Sequence, residues 1–410
     1  MAKLLYVCED VVPPAANGSN LVYLACLEVL ARHHEVFAVM FGDRSKVPHQ
    51  TEETLKSLCT AHLIVRGVQK GSVPKLLRTL SRAVTGALIA PRFLEELERS
   101  DPYQQIAEFV QLHSPDILYL HKYHCVPRFG FKALNAFKGV RLLDLHDDFV
   151  TRERAERMIL RDLFRSHPSL RRYPEYARIR TKHRLSRFSE IRSRRQELEI
   201  LSKFDRLLSA SKSEADGYSK FFPGRVVYCP WPIVMQPDSC GAGQRRYSAG
   251  FIGSDAIFNL EGLLMFVSRV LPEIRQSNPT FSFVVAGGIC DAFKLAMPEH
   301  ENAAITVMGR LSHPADFYSS VSTVIVPLLN GTGVSLKTLE AASYQIPVLT
   351  TPVGVRGIPD HELPSNVLVK NIDEFGEAIS QLSAEPQPIP DYVQQFLSTF
   401  NGVVAVGTDR

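Results

Sequence analysis

The stretch TVIVPLLNGTGVSLKTLEAASYQIPVLTTPVGVRGI, residues 323–358, changes its period in a fixed order. A short apolar run from Val324 to Leu328 gives way to a glycine-punctuated turn, then to a helical pattern, then to a second apolar run at Pro347 to Leu349. That order predicts strand, loop, helix and strand, a unit that lies in a parallel sheet with its loop at the carboxyl edge. Open α/β sheets bind their ligands at that edge, so one stretch constrains both the fold class and the place of the site.

The loop residues indicate what kind of ligand to expect. Gly331 and Gly333 bracket Thr332, which lets the backbone approach a ligand closely and aim amide groups at it. Val334 and Ser335 then lead into a helix whose positive end points to the same place, and an anion is the natural guest. Lys337 and Glu340, three apart, share one face of that helix, while Leu336, Leu339 and Ser343 take the packed face. A lysine near a helix start is opposed by the macrodipole, which a bound anion would offset. Read without a ligand, Lys337 is a solvated side chain and Glu340 an ordinary helix former.

GTGVSLKTLEA followed by IPVLTTPVGVRGI resembles the donor-site signature of glycosyltransferases with the GT-B fold, of the retaining family 4 kind. The resemblance implies an α/β fold of two facing Rossmann-like domains with a cleft between them. It implies transfer of a sugar from a nucleotide-activated donor, such as a UDP- or GDP-sugar, to a hydroxyl with retention of configuration. In the family, the glutamate matched by Glu340 binds ribose hydroxyls and a lysine like Lys337 neutralises the diphosphate. The commoner signature carries a second glutamate eight positions earlier, where this chain has Thr332. An epimerase or hydrolase on the same fold, or a catalytically silent subunit that binds a nucleotide or a partner, would share these features.

A chain of 410 residues exceeds what one core usually serves, so two domains are expected. The boundaries read as 1–232 for an acceptor domain, 233–247 for a proline- and glycine-rich linker, 248–385 for the donor domain and 386–410 for a tail that crosses back to the first domain. Seven scattered cysteines without a CxxC pair argue against a disulfide framework and a zinc site, and fit a reducing cytosol. No run approaches the ~20 apolar residues of a membrane span. The expected setting is cytoplasmic, with peripheral attachment at the inner membrane as a variant. No resident cofactor or metal is expected, because the nucleotide sugar is a co-substrate.

Along the first domain, Lys3 to Cys8 reads as a strand and Gly18 to Arg32 as its helix, with a single glycine, Gly18, where a dinucleotide fingerprint needs three. The resemblance places Gly18 against the donor; a plain helix cap by Asn17, Gly18 or Ser19 is the alternative. Residues 73–90 form an amphipathic pattern that suits either a membrane surface or a core-facing helix. Asp116 to Leu120 predicts a strand with His121, Lys122 and His124 at its end, where acceptor-binding groups would sit. Arg141 to Leu145 runs into His146, Asp147 and Asp148, and LLDLHDDF resembles the family segment whose histidine touches the donor sugar. His146 takes that catalytic role with Lys337, and Asp147 joins the acceptor side. Strand alternation turns neighbours apart, which argues against a metal at this cluster.

From Arg152 to Arg195 there are fourteen arginines and one lysine against five acidic residues. This excess fits an anionic lipid, an anionic acceptor or a solvated helical face. With few aromatics and no binding-module motif, nucleic acid is not an expected partner. The acceptor is expected to be a glycan, a lipid-linked species or a protein. In the second domain, Gly253 ends the first strand, and Arg310 follows a strand in MGRL, a match to the family's Gly-Arg near the nucleotide base.

Overall fold

The computed structural model describes residues 1–13, 18–66, 101–185, 190–233, 245–298, 305–311, 313–382 and 390–408. Two compact units emerge: Met1–His146 with Arg187–Val234 and Asp391–Arg410, and Asp147–Ser186 with Met235–Pro390. The amphipathic pattern at 73–90 and the cap residue Asn17 lie outside the described residues.

The first unit holds a parallel seven-stranded sheet made of β1 (Lys3–Cys8), β2 (Glu35–Phe41), β3 (Ala61–Val65), β4 (Ile117–His121), β5 (Val140–Leu145), β6 (Arg206–Ser209) and β7 (Val226–Tyr228). They lie in the order β3-β2-β1-β4-β5-β6-β7. The second unit repeats the plan with β8 (Ala249–Ile252), β9 (Phe283–Ala286), β10 (Ile305–Gly309), β11 (Val324–Val326), β12 (Val348–Thr350) and β13 (Val367–Val369), ordered β10-β9-β8-β11-β12-β13. Both are Rossmann orders, and each reverses direction once: between β1 and β4, and between β8 and β11. The loops that leave those strands part there and open a crevice for a ligand.

Continuous apolar strands explain the two-sided burial. Leu4 to Cys8 are all inaccessible, as are Val284 to Ala286, the pattern of parallel strands covered by helices on both faces. Lys3 pairs with Glu35 and Leu4 with Ile117, so β1 sits centrally between β2 and β4.

The arginine-rich segment differs in place from the sequence expectation, which put 152–195 in the first domain. Asp147–Ser186 belongs to the second unit. The reason is the apolar stripe of the helix Phe149–Ser166: Ile159, Leu160, Leu163 and Phe164 are buried in one core with Phe258, Leu263 and Val267. Burying each such side chain stabilises by about 1.5–3 kcal/mol, which outweighs anything a solvated arginine face contributes. Arg154, Arg161 and Arg165 stay exposed on its other side. The helix Tyr392–Thr408 belongs to the first unit, where the Phe400 ring lies 5.3 Å from that of Tyr119. Among the described residues, no helix is long and apolar enough to cross a membrane.

Candidate functional site

In the second unit, β11 ends at Val326 and the chain turns through Gly331 and Gly333 into the helix Leu336–Ser343. Gly333 has φ of 66°, a left-handed conformation that a side chain would resist. A Cβ on Gly331 would sit 2.5 Å from the Arg356 guanidinium carbon, so the arginine lies directly on that glycine. Arg356 Nε donates to the Thr332 carbonyl at 2.9 Å and Nη1 to the Val353 carbonyl at 2.8 Å, tying the loop after β12 to the glycine loop. The second loop is itself anchored: Thr338 Oγ1 donates to the Gly354 carbonyl at 2.5 Å, and Thr351 bonds the Leu328 carbonyl.

Lys337 is half-buried. Its burial, and then the positive charge of Arg356, pull its pKa down to about 8, with Glu340 acting the other way. Glu340 is also half-buried; burial raises its pKa, while Tyr318 and Lys337 oppose the rise. Ser335 stands at the helix N-cap without a side-chain cap bond, and its buried hydroxyl has no hydrogen-bond partner among the described residues. Two cations that repel each other, an orphaned hydroxyl and the amide end of a helix therefore share one loop. A bound anion would answer all three.

Thr332 makes a contact that its position in the motif did not foretell. Its Oγ1 donates to Asp147 Oδ1 at 3.3 Å, and Asp147 is paired with Arg152 at 2.8 Å, which also reaches Glu156 at 3.1 Å. Asp147 thus sits beside the glycine loop. Asp148 instead caps the following helix, accepting from the Thr151 amide at 3.0 Å, which occupies it structurally. Gly253 ends β8 at the opposite side of the crevice, where Asn259 clasps the turn through the Ser254 carbonyl at 2.9 Å. Arg310 is exposed after β10; its guanidinium would lie 3.5 Å from a Cβ on Gly288. Tyr173, from the arginine-rich segment, donates to Asp255 at 3.0 Å in the same region.

The first unit presents a different chemistry. Tyr119 and His121 on β4, and Asp144 with His146 at the end of β5, alternate onto one face, and His121 pairs directly with Asp144 across the strands. His121 Nδ1 lies 3.0 Å from Asp144 Oδ2 and 3.0 Å from His146 Nε2. Tyr119 and Trp231 both donate to Asp144 Oδ2, each at 3.0 Å. The alternation that argued against converging ligands in fact joins Asp144 to His146. It is Asp147 and Asp148 that leave.

His121 is wholly buried, so the expectation of an acceptor-side role does not fit its position; the sheet needs a polar partner for Asp144 and His121 supplies it. Cys26, His121 and Asp144 offer ligand atoms within 4.8 Å of one another. However, Asp144 already accepts from Tyr119 and Trp231, and burial pushes the Cys26 thiol well up, away from the thiolate a metal requires. Lys122 is part-buried, donating to Ser19 Oγ at 3.0 Å beside exposed Gly18 and lying 3.5 Å from Glu9.

Two Rossmann-like domains, the second with an anion-ready loop at its switch point, define an α/β protein of the GT-B class. Residues 246–385, within the second domain, match the family described as glycosyl transferases group 1. Over 373 residues the chain is 24% identical to an uncharacterized 44.6 kDa protein in the cps region of Klebsiella pneumoniae, covering 87% of this chain and 84% of that one. Among solved structures, Anabaena Alr3699/HepE in complex with UDP-glucose superposes with a TM-score of 0.58 at 11% identity, covering 100% of each chain. A mutant of S. aureus TarM in complex with fondaparinux, alpha-GlcNAc-glycerol and UDP superposes with a TM-score of 0.58 at 10% identity, covering 99% of this chain and 97% of that one.

Proposed function

We propose that the protein is a glycosyltransferase that moves a sugar from a nucleoside-diphosphate donor to a hydroxyl acceptor with retention, working in the cytoplasm without a metal or resident cofactor. The carrying observation is the crowding of Lys337 and Arg356 at the glycine loop next to the orphaned Ser335 hydroxyl. Departure of the nucleoside diphosphate leaves negative charge on phosphate oxygens, and fixed cations with backbone amides stabilise it without reorganising. In this reading Gly331, Gly333, Val334 and Ser335 line the phosphates while Lys337 and Arg356 neutralise them. Glu340 holds the ribose hydroxyls, Gly253 and Arg310 flank the base, and His146 orients the sugar. Asp147 stands near Thr332, where the commoner signature has its glutamate, as an acceptor for hydroxyls. The UDP and UDP-glucose complexes of the structural neighbours support UDP as the first donor nucleotide to try. The acceptor is a glycan, a lipid-linked species or a protein, and the exposed arginines favour one that is anionic or held at an anionic surface.

The test is thermal unfolding with UDP, GDP and the matching nucleosides. A ligand at a hundred times its Kd stabilises the native state by about 2.7 kcal/mol. One diphosphate should raise Tm more than its nucleoside does at the same concentration. If neither diphosphate moves Tm at millimolar concentration, the reading fails.

A further inference from the structure

The outer face of the helix Phe149–Ser166 is built unlike an ordinary solvated helix face. Its apolar residues Ile159, Leu160, Leu163 and Phe164 enter the core of the second unit, which turns Arg154, Met158, Arg161 and Arg165 away from that core. Those four recur at i, i+4, i+7 and i+11, so they form one stripe about 16 Å long. All four are exposed, Met158 with 48% of its surface. A helix that faces water alone gains from pairing an arginine with a carboxylate three or four residues away. Elsewhere this helix does so, with Arg152 bonded to Glu156 at 3.1 Å. The stripe has no such pair. Arg154 and Arg165 have no hydrogen-bond or ion-pair partner among the described residues. Arg161 meets its neighbour Asp162 in a pair more than half exposed, a geometry that neutralises little. Arg161 and Arg165, four apart, repel each other.

More positive charge collects at the end of the helix. Arg171, in the turn that follows, donates to the Phe164 carbonyl at 3.2 Å, and the Arg180 guanidinium lies 5.9 Å from the Phe164 ring. Both contacts bring an exposed arginine to the turn of helix that bears Arg165. The negative end of the macrodipole favours cations there. It does not reach Arg154, in the second turn, and gives no reason for an exposed methionine between arginines.

We propose that this face docks on an anionic lipid bilayer, with the arginines on headgroup phosphates and Met158 at the boundary between headgroups and acyl chains. A row of guanidinium groups fits phosphate or sulfate oxygens on any polyanion, since each offers a fork of donors. Met158 decides between the sources. A soluble polyanion has no apolar layer to receive it, whereas a membrane places one beneath its surface charge. The face lies apart from the glycine loop, and its test is separate from that of the nucleotide reading.

The experiment is flotation of the full chain with vesicles of phosphatidylcholine alone, or of phosphatidylcholine and phosphatidylglycerol in equal parts, at low and at high salt. The protein should float with the mixed vesicles and not with the neutral ones, and salt should release it, because screening shortens the reach of surface charge. Each arginine at such a surface strengthens attachment about fivefold, so Arg154→Gln combined with Arg165→Gln should weaken it roughly 25-fold. Neither side chain has a partner to lose among the described residues, so Tm should hold. Removing the same charge elsewhere in the unit, as Arg245→Gln with Arg246→Gln at two exposed positions, should cost far less. Met158→Gln should weaken attachment to the mixed vesicles while leaving retention on heparin unchanged. No flotation of the wild type with mixed vesicles, equal loss in the two double variants, or a Met158→Gln protein that floats as well as the wild type would each overturn the proposal. Retention on heparin without flotation would make the face a site for a soluble polyanion instead. Stabilisation by UDP, measured on the same variants, reports separately on the proposed function.

Discussion

Raising the pH should weaken nucleoside diphosphate binding through one group, Lys337, whose folded-state pKa is drawn down to about 8. The sign follows from the direction of that shift. Free Lys337 sheds its proton as pH rises through 8, yet the bound diphosphate needs the ammonium, so binding above pH 8 must take a proton back from solution. With a pKa of about 8, roughly nine-tenths of the free protein carries the proton at pH 7 and about one-quarter at pH 8.5. Affinity for UDP should therefore fall about fourfold over that interval, close to 0.8 kcal/mol, with uptake of about 0.75 proton at the higher pH. Calorimetric titration in two buffers of different ionisation enthalpy measures that uptake directly. The stability of the ligand-free protein should move the other way. The cost of a charged Lys337 is fully present below its folded pKa and is relieved between about 8 and its unfolded value. Lys337→Met should bind more weakly at pH 7 and show neither the proton uptake nor the fourfold loss. Buffer-independent enthalpies at pH 8.5, or a Lys337→Met protein that keeps the pH dependence, would refute the placing of this lysine at the phosphates.

Three further outcomes follow from the same geometry. Arg356→Gln should cost UDP about 1.5–3 kcal/mol, the range for a hydrogen bond to a charged group, while uridine binding stays unchanged; it should also lift the Lys337 pKa, moving the pH dependence upward. Glu340→Gln should weaken both uridine and UDP while leaving Tm without ligand nearly intact, because the carboxyl already titrates high through burial; a large fall in Tm would make it a structural residue instead. His146→Ala should lower turnover strongly and UDP affinity little, since an interaction with the transferring sugar is realised beyond the diphosphate, and equal loss of both would remove it from the chemistry.

Much of this fold is legible because parallel strands buried on both faces leave continuous apolar runs. Lys3–Cys8 is readable residue for residue, and the strands expected at Asp116 to Leu120 and Arg141 to Leu145 shift by one position, to Ile117–His121 and Val140–Leu145. The helix that begins at Ile257 runs into a wider turn at Phe266–Val270. Local patterns carry no mark of such a turn. The arginine-rich segment was assigned to the wrong core for a similar reason. Its composition drew attention to the exposed face, while the four apolar residues that decide its place are spaced as any amphipathic helix would space them and do not say which core they enter.

The site divides along the same line. Lys337, Glu340 and the two glycines lie within ten residues of one another, so spacing alone brought them together. Arg356 was overlooked because its contact with the glycine loop spans 24 residues and exists only once β11 and β12 pair. His121 was assigned outward for want of one fact, the register that sets it opposite Asp144. Yet part of that was within reach: alternation along LLDLH already places Asp144 and His146 on one face, and a buried aspartate next to a histidine asks for further donors. What the two sheets then offer is unlike chemistry built on like topology. The second puts Lys337 and Arg356 close together at its switch point, and the first puts a buried carboxylate held by Tyr119, Trp231 and His121. A nucleoside diphosphate carries its charge on the phosphates, and the closeness of two cations at the glycine loop is the physical ground for proposing that Lys337 and Arg356 recognise it.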